Sequence, residues 1–144
     1  MADIFTPDKR SAIMSRIKSQ GNASTELRVV HAFRRAGITG WRRHPRHVSG
    51  SPDFVFPRER LAIHVHGCFW HGCSRCASGH IPATRQEYWR PKIERTQRRD
   101  RRNRRMLRQA GYGTIQIWEH ELSGTQWLDR VQRRLGRLGH PKFS

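Results

Sequence analysis

The sequence predicts an α/β fold in which a mixed sheet is flanked by helices on both faces. Segments with helical spacing of apolar residues alternate with short β-branched runs, in the order helix, helix, three strands, helix, strand, helix. The chain has 144 residues, the usual size of one domain. We therefore expect one domain over 1–144, with an N-terminal helical segment at 1–20, a core at 21–122 and a C-terminal helix and tail at 123–144.

Two helices are predicted near the start of the chain. Thr6 and Pro7 have the residue types of a helix cap and first turn, and an apolar stripe then runs to Gln20. The second helix begins near Ser24 and stops at Gly37. Its apolar stripe consists of Leu27, Val30, Phe33 and Ala36.

The middle of the chain predicts a β-hairpin. Residues 53–56 and 61–66 are apolar or β-branched runs, and a polar turn at 57–60 separates them. Gly and Pro residues over 38–52 predict turns around one short strand that carries Trp41.

The last part of the chain predicts a helix, a strand and a closing helix. An arginine-rich helix is expected over 91–109, before Gly111, and residues 112–118 alternate as a strand does. The closing helix over 125–138 is amphipathic. Its apolar residues are Trp127, Leu128, Val131, Leu135 and Leu138.

The charge of the chain indicates a polyanionic partner. Lys and Arg number 29 against 11 Asp and Glu, for a formal net charge of +18. Such an excess attracts nucleic acid, whereas a role in solubility alone or in binding anionic lipid is the alternative. No apolar run approaches a membrane span, and residues 1–10 lack the apolar core of a secretory signal, so we expect a cytosolic protein with no membrane partner.

Residues 65–76, VHGCFWHGCSRC, predict a metal site. The three thiols are Cys68, Cys73 and Cys76. Their odd number and close spacing favour metal over a disulfide framework, and buried or free thiols are the alternative. Tetrahedral zinc takes four N or S ligands. We prefer His120 as the fourth ligand over the sequence-local His80, and a zinc ion with four protein ligands is structural.

A catalytic site is therefore expected elsewhere, at the hairpin. Asp53 opens its first strand and His66 closes its second, which brings a carboxylate and an imidazole together. Phosphodiester hydrolysis needs an activated water and charge neutralisation, both of which carboxylate-bound Mg²⁺ supplies. Asp53 is the expected ligand. Because the strand at 61–66 has no carboxylate, the main-chain carbonyl of Val65 is expected as a second ligand.

His71 is the candidate general base. An imidazole can take a proton from water at neutral pH, especially if a carboxylate such as Glu26 orients it. The alternatives are a turn-capping role for Asp53, a helix N-terminal role for Glu26 and zinc ligation by His71.

Two features predict contacts with DNA. Phe69 and Trp70 are adjacent in the cysteine-rich loop, and exposed aromatic residues can wedge between base pairs. Met14 is a second candidate wedge, although a lone methionine is more often core. The arginine-rich helix can position phosphates or can simply be solvated. Its candidate phosphate ligands are Arg95, Arg98, Arg99 and Arg102.

These motifs resemble the Vsr family of very-short-patch mismatch endonucleases. The resemblance spans about residues 8–122. It rests on Glu26, SPDF at 51–54, VHGCFWHGCSRC at 65–76, PATRQEYW at 82–89, RRDRR at 98–102 and IWEHEL at 117–122. It implies a restriction-endonuclease-like fold of the PD-(D/E)XK type and magnesium-dependent nicking of duplex DNA 5′ of the thymine in a T:G mismatch, which arises when 5-methylcytosine deaminates.

The resemblance also implies roles for particular residues. Asp53 and the Val65 carbonyl would hold magnesium, His71 would be the general base, and His66 and Glu26 would support the waters around the metal. The intercalating residues would be Phe69, Trp70 and Met14, and the zinc ligands would be Cys68, Cys73, Cys76 and His120. Family members vary between His and Cys at the zinc positions.

The chain departs from the family pattern at Pro91 and in its short C-terminus after Leu122. We expect a monomer, with other mismatch-repair proteins as candidate partners. Two further hypotheses are a zinc-stabilised DNA-binding module without catalysis and a restriction-type nuclease without mismatch preference. Substitution of Asp53 separates the first of these from the mismatch endonuclease.

Overall fold

A computed structural model describes residues 24–76 and 85–138, which form a four-stranded sheet with helices. The elements in chain order are α1 (24–35), β1 (Arg42–Arg43), β2 (Phe54–Phe56), β3 (Leu61–His66), α2 (Gln86–Gln109), β4 (Gly113–Trp118), a 3₁₀ helix (Glu119–Ser123) and α3 (Gln126–Arg137). The predicted helix at 1–20 with Met14, and also His80, lie outside the described residues.

The sheet is mixed, as predicted. Its strand order is β1-β2-β3-β4, with antiparallel pairing up to β3 and parallel pairing between β3 and β4. Ile63 lies opposite both Phe54 and Ile115, and His66 lies opposite Trp118. A parallel pair needs a long crossover connection, and α2 lies within that connection. The α/β class predicted from the sequence is confirmed.

One face of the sheet carries the hydrophobic core. Phe33 of α1 is fully buried, and its ring centroid lies 5.6 to 6.1 Å from those of four other aromatic residues. These four are Trp41, Phe54, Phe56 and Trp127. Val131 and Leu135 of α3 complete this side. Helices α1 and α3 therefore pack on the same face of the sheet.

The other face of the sheet lies under α2 and is polar. All six residues of β3 are buried, and successive side chains point to opposite faces. Ile63 and Val65 join the hydrophobic core, whereas His64 and His66 line a cavity with α2 residues. The sequence alternation in β3 thus separates the core from a chemically active face.

Some predicted boundaries and faces were wrong. Helix α2 begins at Gln86 and not at Pro91. Pro91 lies inside the helix and removes one backbone hydrogen bond, which does not end a helix of 24 residues. Leu27 and Leu138, expected in the core, are 46% and 44% exposed, and Val29 faces the core from α1. No helix in the two described segments, not even the 24-residue α2, is long and apolar enough to cross a membrane.

We expect Phe33→Ala to lower the free energy of unfolding by about 3–5 kcal/mol, because it empties the centre of an aromatic cluster. Urea denaturation monitored by circular dichroism measures the change. Leu27→Ala on the same helix is the matched control and should change stability by less than about 1 kcal/mol, since Leu27 is exposed. Equal losses from both variants would contradict this assignment of the α1 faces.

Candidate active site and metal centre

The loop that enters β2 holds Asp53 at the end of β3. Gly50 has φ +100° and packs so tightly under α2 that a Cβ would lie 2.7 Å from the Asn103 carbonyl oxygen. The Asp53 N–H donates to the Ile63 carbonyl at 2.9 Å. Asp53 Oδ2 accepts a 2.7 Å hydrogen bond from the Val65 N–H. Backbone contacts therefore fix both the main chain and the carboxylate of Asp53.

Glu26 of α1 lies beside Asp53. Its Oε2 accepts from Arg43 Nη2 at 3.0 Å and lies 2.9 Å from His44 Nε2. The ligand atoms of Glu26, His44 and Asp53 all lie within 4.8 Å of one another. Burial, together with the neighbouring Glu26, raises the pKa of Asp53 to about 8, although the Val65 N–H favours the ionised form. Two carboxylates this close fit a divalent cation, which would neutralise them.

His71 is held by a carboxylate that the sequence argument did not name. Its Nδ1 donates to Asp100 Oδ2 on α2 at 2.6 Å. Burial disfavours ionised Asp100, but the hydrogen bond and charge of His71 hold the pKa of Asp100 below its usual value. The suggestion that Glu26 orients His71 was therefore wrong, because Glu26 is bonded to Arg43 and His44. Since a carboxylate only accepts, Nδ1 carries the proton and Nε2 is the basic nitrogen.

His66 lies beside His71 and lines the same cavity as Asp53. Its ring centroid is 4.2 Å from that of His71 and 5.0 Å from that of Trp118. His66 is 3% exposed, and its Nε2 has no hydrogen-bond partner among residues 24–76 and 85–138. Burial lowers the pKa of His66 to about 3, so the ring is neutral at physiological pH. The buried nitrogen therefore lacks the hydrogen bond that such groups almost always make.

Asp53, His66, His71 and Asp100 surround one cavity of about 210 Å³. The remaining lining residues are Ser51, His64, Val65, Arg99 and Asn103. His64 Nε2 donates to the Gly50 carbonyl at 3.0 Å and so ties β3 to the Asp53 loop. The cavity combines carboxylates, imidazoles and a guanidinium, which suits the hydrolysis of an anionic substrate.

The cysteine-rich loop and the 3₁₀ helix bring together a second cluster, of three thiols and an imidazole. The ligand atoms of Cys68, Cys73, Cys76 and His120 lie within 4.8 Å of one another. His120 Nδ1 is 3.3 Å from Cys68 Sγ and 3.6 Å from Cys73 Sγ. Tetrahedral zinc with ordinary bond lengths would set these S···N distances at about 3.6 Å. Burial raises the pKa of Cys68 to about 12, which a bound cation would oppose.

The 3₁₀ helix that carries His120 is anchored on both sides. Glu121 accepts from the Trp118 N–H at 3.2 Å, from Arg75 at 3.2 Å and from Arg130 at 3.1 Å. Arg75 belongs to the cysteine-rich loop and Arg130 to α3. Glu121 therefore links the loop to the end of the sheet, independently of the thiols.

The aromatic pair Phe69 and Trp70 is half-buried against α2. The Trp89 ring lies 5.4 Å from Phe69 and 5.7 Å from Trp70, and Phe69 and Trp70 are 5.1 Å apart. Each pair is close to edge-on, with interplanar angles of 70° to 83°. The result is a compact aromatic group next to His71 in the chain, with Trp89 as an additional member.

The four predicted phosphate-binding arginines fall on different sides of α2. Arg99 lines the cavity that contains Asp53 and His71. Arg95, Arg98 and Arg102 are exposed, and at 3.6 residues per turn they lie about 140° or more around the helix from Asp100. Only Arg99 is therefore placed at the cavity, whereas the other three lie on the outer surface.

Sequence reasoning missed four residues at the site: His44, His64, Trp89 and Asp100. Asp100 is the only acid within the run RRDRR, which was a usable signal. His64 follows the same alternation as His66 in β3. His44 carried no local signal, because its partner Glu26 is distant in the chain. Trp89 ends the motif PATRQEYW, but its contacts with Phe69 and Trp70 depend on how α2 packs.

Comparison with known proteins places the chain in a family. Residues 2–77 match the family model described as DNA mismatch endonuclease Vsr. The chain is 38% identical over 141 residues to the type II nicking enzyme V.XorIIP of Xanthomonas oryzae pv. oryzae, covering 98% of this chain and 99% of that protein. It is 36% identical to the type II nicking enzyme V.NmeAIP of Neisseria meningitidis serogroup A, covering 96% and 94%.

A relative that carries the family's own name gives the same result. The chain is 35% identical over 128 residues to the DNA mismatch endonuclease Vsr of Escherichia coli, covering 89% of this chain and 80% of that protein. Since more than half of the chain matches the family model and this relative is similar over most of its length, the chain belongs to the DNA mismatch endonuclease Vsr family.

Proposed function

We propose that this protein is a DNA endonuclease that nicks one strand of duplex DNA. The observation that carries the proposal is the single cavity in which Asp53, His66 and the His71–Asp100 pair meet. The names of its relatives, a DNA mismatch endonuclease and several nicking enzymes, support it. The net charge of +18 suits a polyanionic substrate.

In this proposal His71 is the general base. The hydrogen bond to Asp100 would keep the proton on Nδ1 of His71. Nε2 of His71 would then be the nitrogen that takes a proton from water. The imidazolium that results would be stabilised by ionised Asp100. His66, which is buried and neutral beside His71, would support the water molecules around the metal.

Asp53 and the Val65 carbonyl are the proposed magnesium ligands, with Glu26 beside them. The Val65 N–H points toward Asp53, and in a strand the carbonyl of a residue faces the same side as its N–H. When bound, Mg²⁺ supplies charge neutralisation on the phosphate and activation of water. The raised pKa of Asp53 supports a site that a cation would complete.

We further propose that the substrate is a T:G mismatch, cut 5′ of the thymine, within a restriction-endonuclease-like fold of the PD-(D/E)XK type. The aromatic group of Phe69, Trp70 and Trp89 supports this, since aromatic wedges open the base stack at a mismatch more easily than at a paired step. Repair of deaminated 5-methylcytosine is the pathway implied by such a substrate.

Zinc is the proposed ion of the thiol cluster, where it would be structural. Four protein ligands leave no open position for a reacting water. In this role the ion would order the loop that places His71 and the aromatic group.

We expect Asp53→Ala to reduce nicking of a T:G duplex in Mg²⁺ by about a thousandfold or more while leaving DNA affinity within about threefold, because it removes the metal ligand. Labelled duplexes with and without one T:G mismatch, in Mg²⁺ and in EDTA, measure the activity. Asp129→Ala, which removes an exposed acid from α3, is the matched control. Tight binding with no cutting by the wild type would favour the DNA-binding module. Equal cutting of matched DNA would favour a restriction-type nuclease.

We expect Asp100→Asn to lower kcat by about a hundredfold with little change in KM, since the amide neither fixes the Nδ1–H tautomer of His71 nor stabilises its charged form. Single-turnover nicking rates measure the chemical step. Glu94→Gln removes an exposed acid from the same helix and should leave the rate unchanged. If Asp100→Asn nicks DNA at the same rate as Glu94→Gln, the assignment of His71 as the general base is contradicted.

The zinc proposal predicts one tightly bound ion per chain. Cys73→Ser should lose the ion and His120→Cys should retain it, because a thiolate can replace an imidazole on zinc. Ser49→Ala, which changes an exposed serine outside both cavities and the thiol cluster, is the control. Metal analysis after dialysis and thermal denaturation measure the effect, and chelation should disorder the loop and lower activity indirectly. A zinc-free preparation that folds and nicks normally would refute the site.

A further inference from the structure

A second cavity, of about 220 Å³, lies on the other side of the His66–His71 pair. It is enclosed by α2, the end of β4 and the cysteine-rich loop. Its lining residues are His66, His71, Gly72, Ser74, Gln97, Asp100, Arg101, Arg104, Gln116 and Trp118. Asp53 and Val65, which line the first cavity, do not line this one. The second cavity is therefore separate from the proposed magnesium ligands.

Arg101 and Arg104 give this cavity an excess of positive charge. Neither guanidinium forms an ion pair with a carboxylate within the described ranges, 24–76 and 85–138. Asp100, the carboxylate in the wall, is engaged by His71 at 2.6 Å. Arg101 and Ser74 are exposed, so the cavity opens to solvent between α2 and the cysteine-rich loop.

Arg104 is oriented by a neutral group. With its side-chain oxygen turned toward α2, Gln116 accepts from Arg104 Nε at 2.7 Å and from Nη1 at 2.6 Å. A glutamate in the place of Gln116 would cancel the charge of the arginine, whereas an amide fixes the guanidinium and leaves its charge for a ligand.

Ser74 adds a neutral hydrogen-bond donor at the opening of the cavity. Its exposed hydroxyl and the two guanidinium groups together form a pocket with the chemistry of an oxyanion site.

We propose that this second cavity binds a phosphate group of the DNA backbone outside the cleaved linkage. The proposal rests on the proposed function, since it names a further subsite for the same substrate. A backbone phosphate fits the observations better than a base, because the guanidinium groups recognise oxyanions. Arg101 and Arg104 are thus assigned a role different from that of the outward-facing arginines of α2.

Arg101→Gln and Arg104→Gln test the proposal, with Arg137→Gln as the control. Arg137 is an exposed arginine of α3, on the opposite face of the sheet, and all three variants lose one charge. Fluorescence anisotropy with a labelled T:G duplex in Ca²⁺ measures affinity without requiring catalysis. We expect Kd to rise about five- to tenfold for each test variant. We also expect the slope of log K against log salt to fall by about 0.9. The control should stay within about twofold.

The source of the phosphate is tested on the DNA side. Single methylphosphonate linkages, which are neutral, are placed in turn along the duplex. A methylphosphonate at one position outside the cut linkage should weaken DNA binding by the wild type. It should cause no further loss of affinity in Arg104→Gln, because that variant has already lost the contact. If inorganic phosphate competes with DNA but no linkage couples to Arg104, the cavity takes a free anion and the DNA proposal is overturned.

The outcomes separate this inference from the proposed function. If Arg101→Gln and Arg104→Gln bind DNA as tightly as Arg137→Gln does, the phosphate subsite is overturned and the endonuclease proposal is unaffected. A wild type that shows the coupled linkage but never cuts DNA would sink the endonuclease and leave the subsite standing. If Arg104→Gln is destabilised, Arg101→Gln decides the result, because the exposed Arg101 has little packing to lose.

Discussion

The candidate active site depends on β3, a strand that is buried on both faces and paired on both edges. β2 fixes one edge in antiparallel register and β4 fixes the other in parallel register, so β3 has little freedom to shift. A slip of one residue would turn His64 and His66 into the hydrophobic core and bring Ile63 and Val65 out under α2. The Val65 N–H that holds Asp53 would move as well. The hydrophobic packing of one face of the sheet thus determines the chemistry of the other.

Buried charge is concentrated where the cation is proposed to bind. Glu26 and Asp53 lie together, and burial raises the pKa of Asp53 to about 8, so the folded chain alone stabilises this carboxylate poorly. Asp100 is different, since its bond to His71 favours the ionised form. The surroundings of Asp53 therefore disfavour its ionised form when no cation is bound, whereas those of Asp100 favour ionisation through an imidazole. Their neighbours, and not their residue type, separate these two roles.

The thiol cluster and the cavity that contains Asp53 and His71 share one loop. Cys68 and Cys73 lie on either side of Phe69, Trp70 and His71, and His120 and Glu121 hold the loop to the end of β4. Ordering of the loop therefore sets both the position of His71 and the arrangement of the aromatic group. The same loop forms part of the wall of the second cavity, through Gly72 and Ser74.

The sequence alone determined the α/β class, the hairpin and the cysteine-rich loop, because periodicity and the spacing of thiols are local properties. It also indicated Asp53, His66 and His71 as neighbours, since a short hairpin and a short loop leave them few other arrangements. Only the tertiary structure decided which carboxylate meets His71: Asp100 is 29 residues away in the chain and reaches His71 because α2 crosses the sheet. The helix start at Gln86, the exposure of Leu27 and the outward direction of three arginines were settled in the same way, by packing between elements that sequence periodicity does not encode.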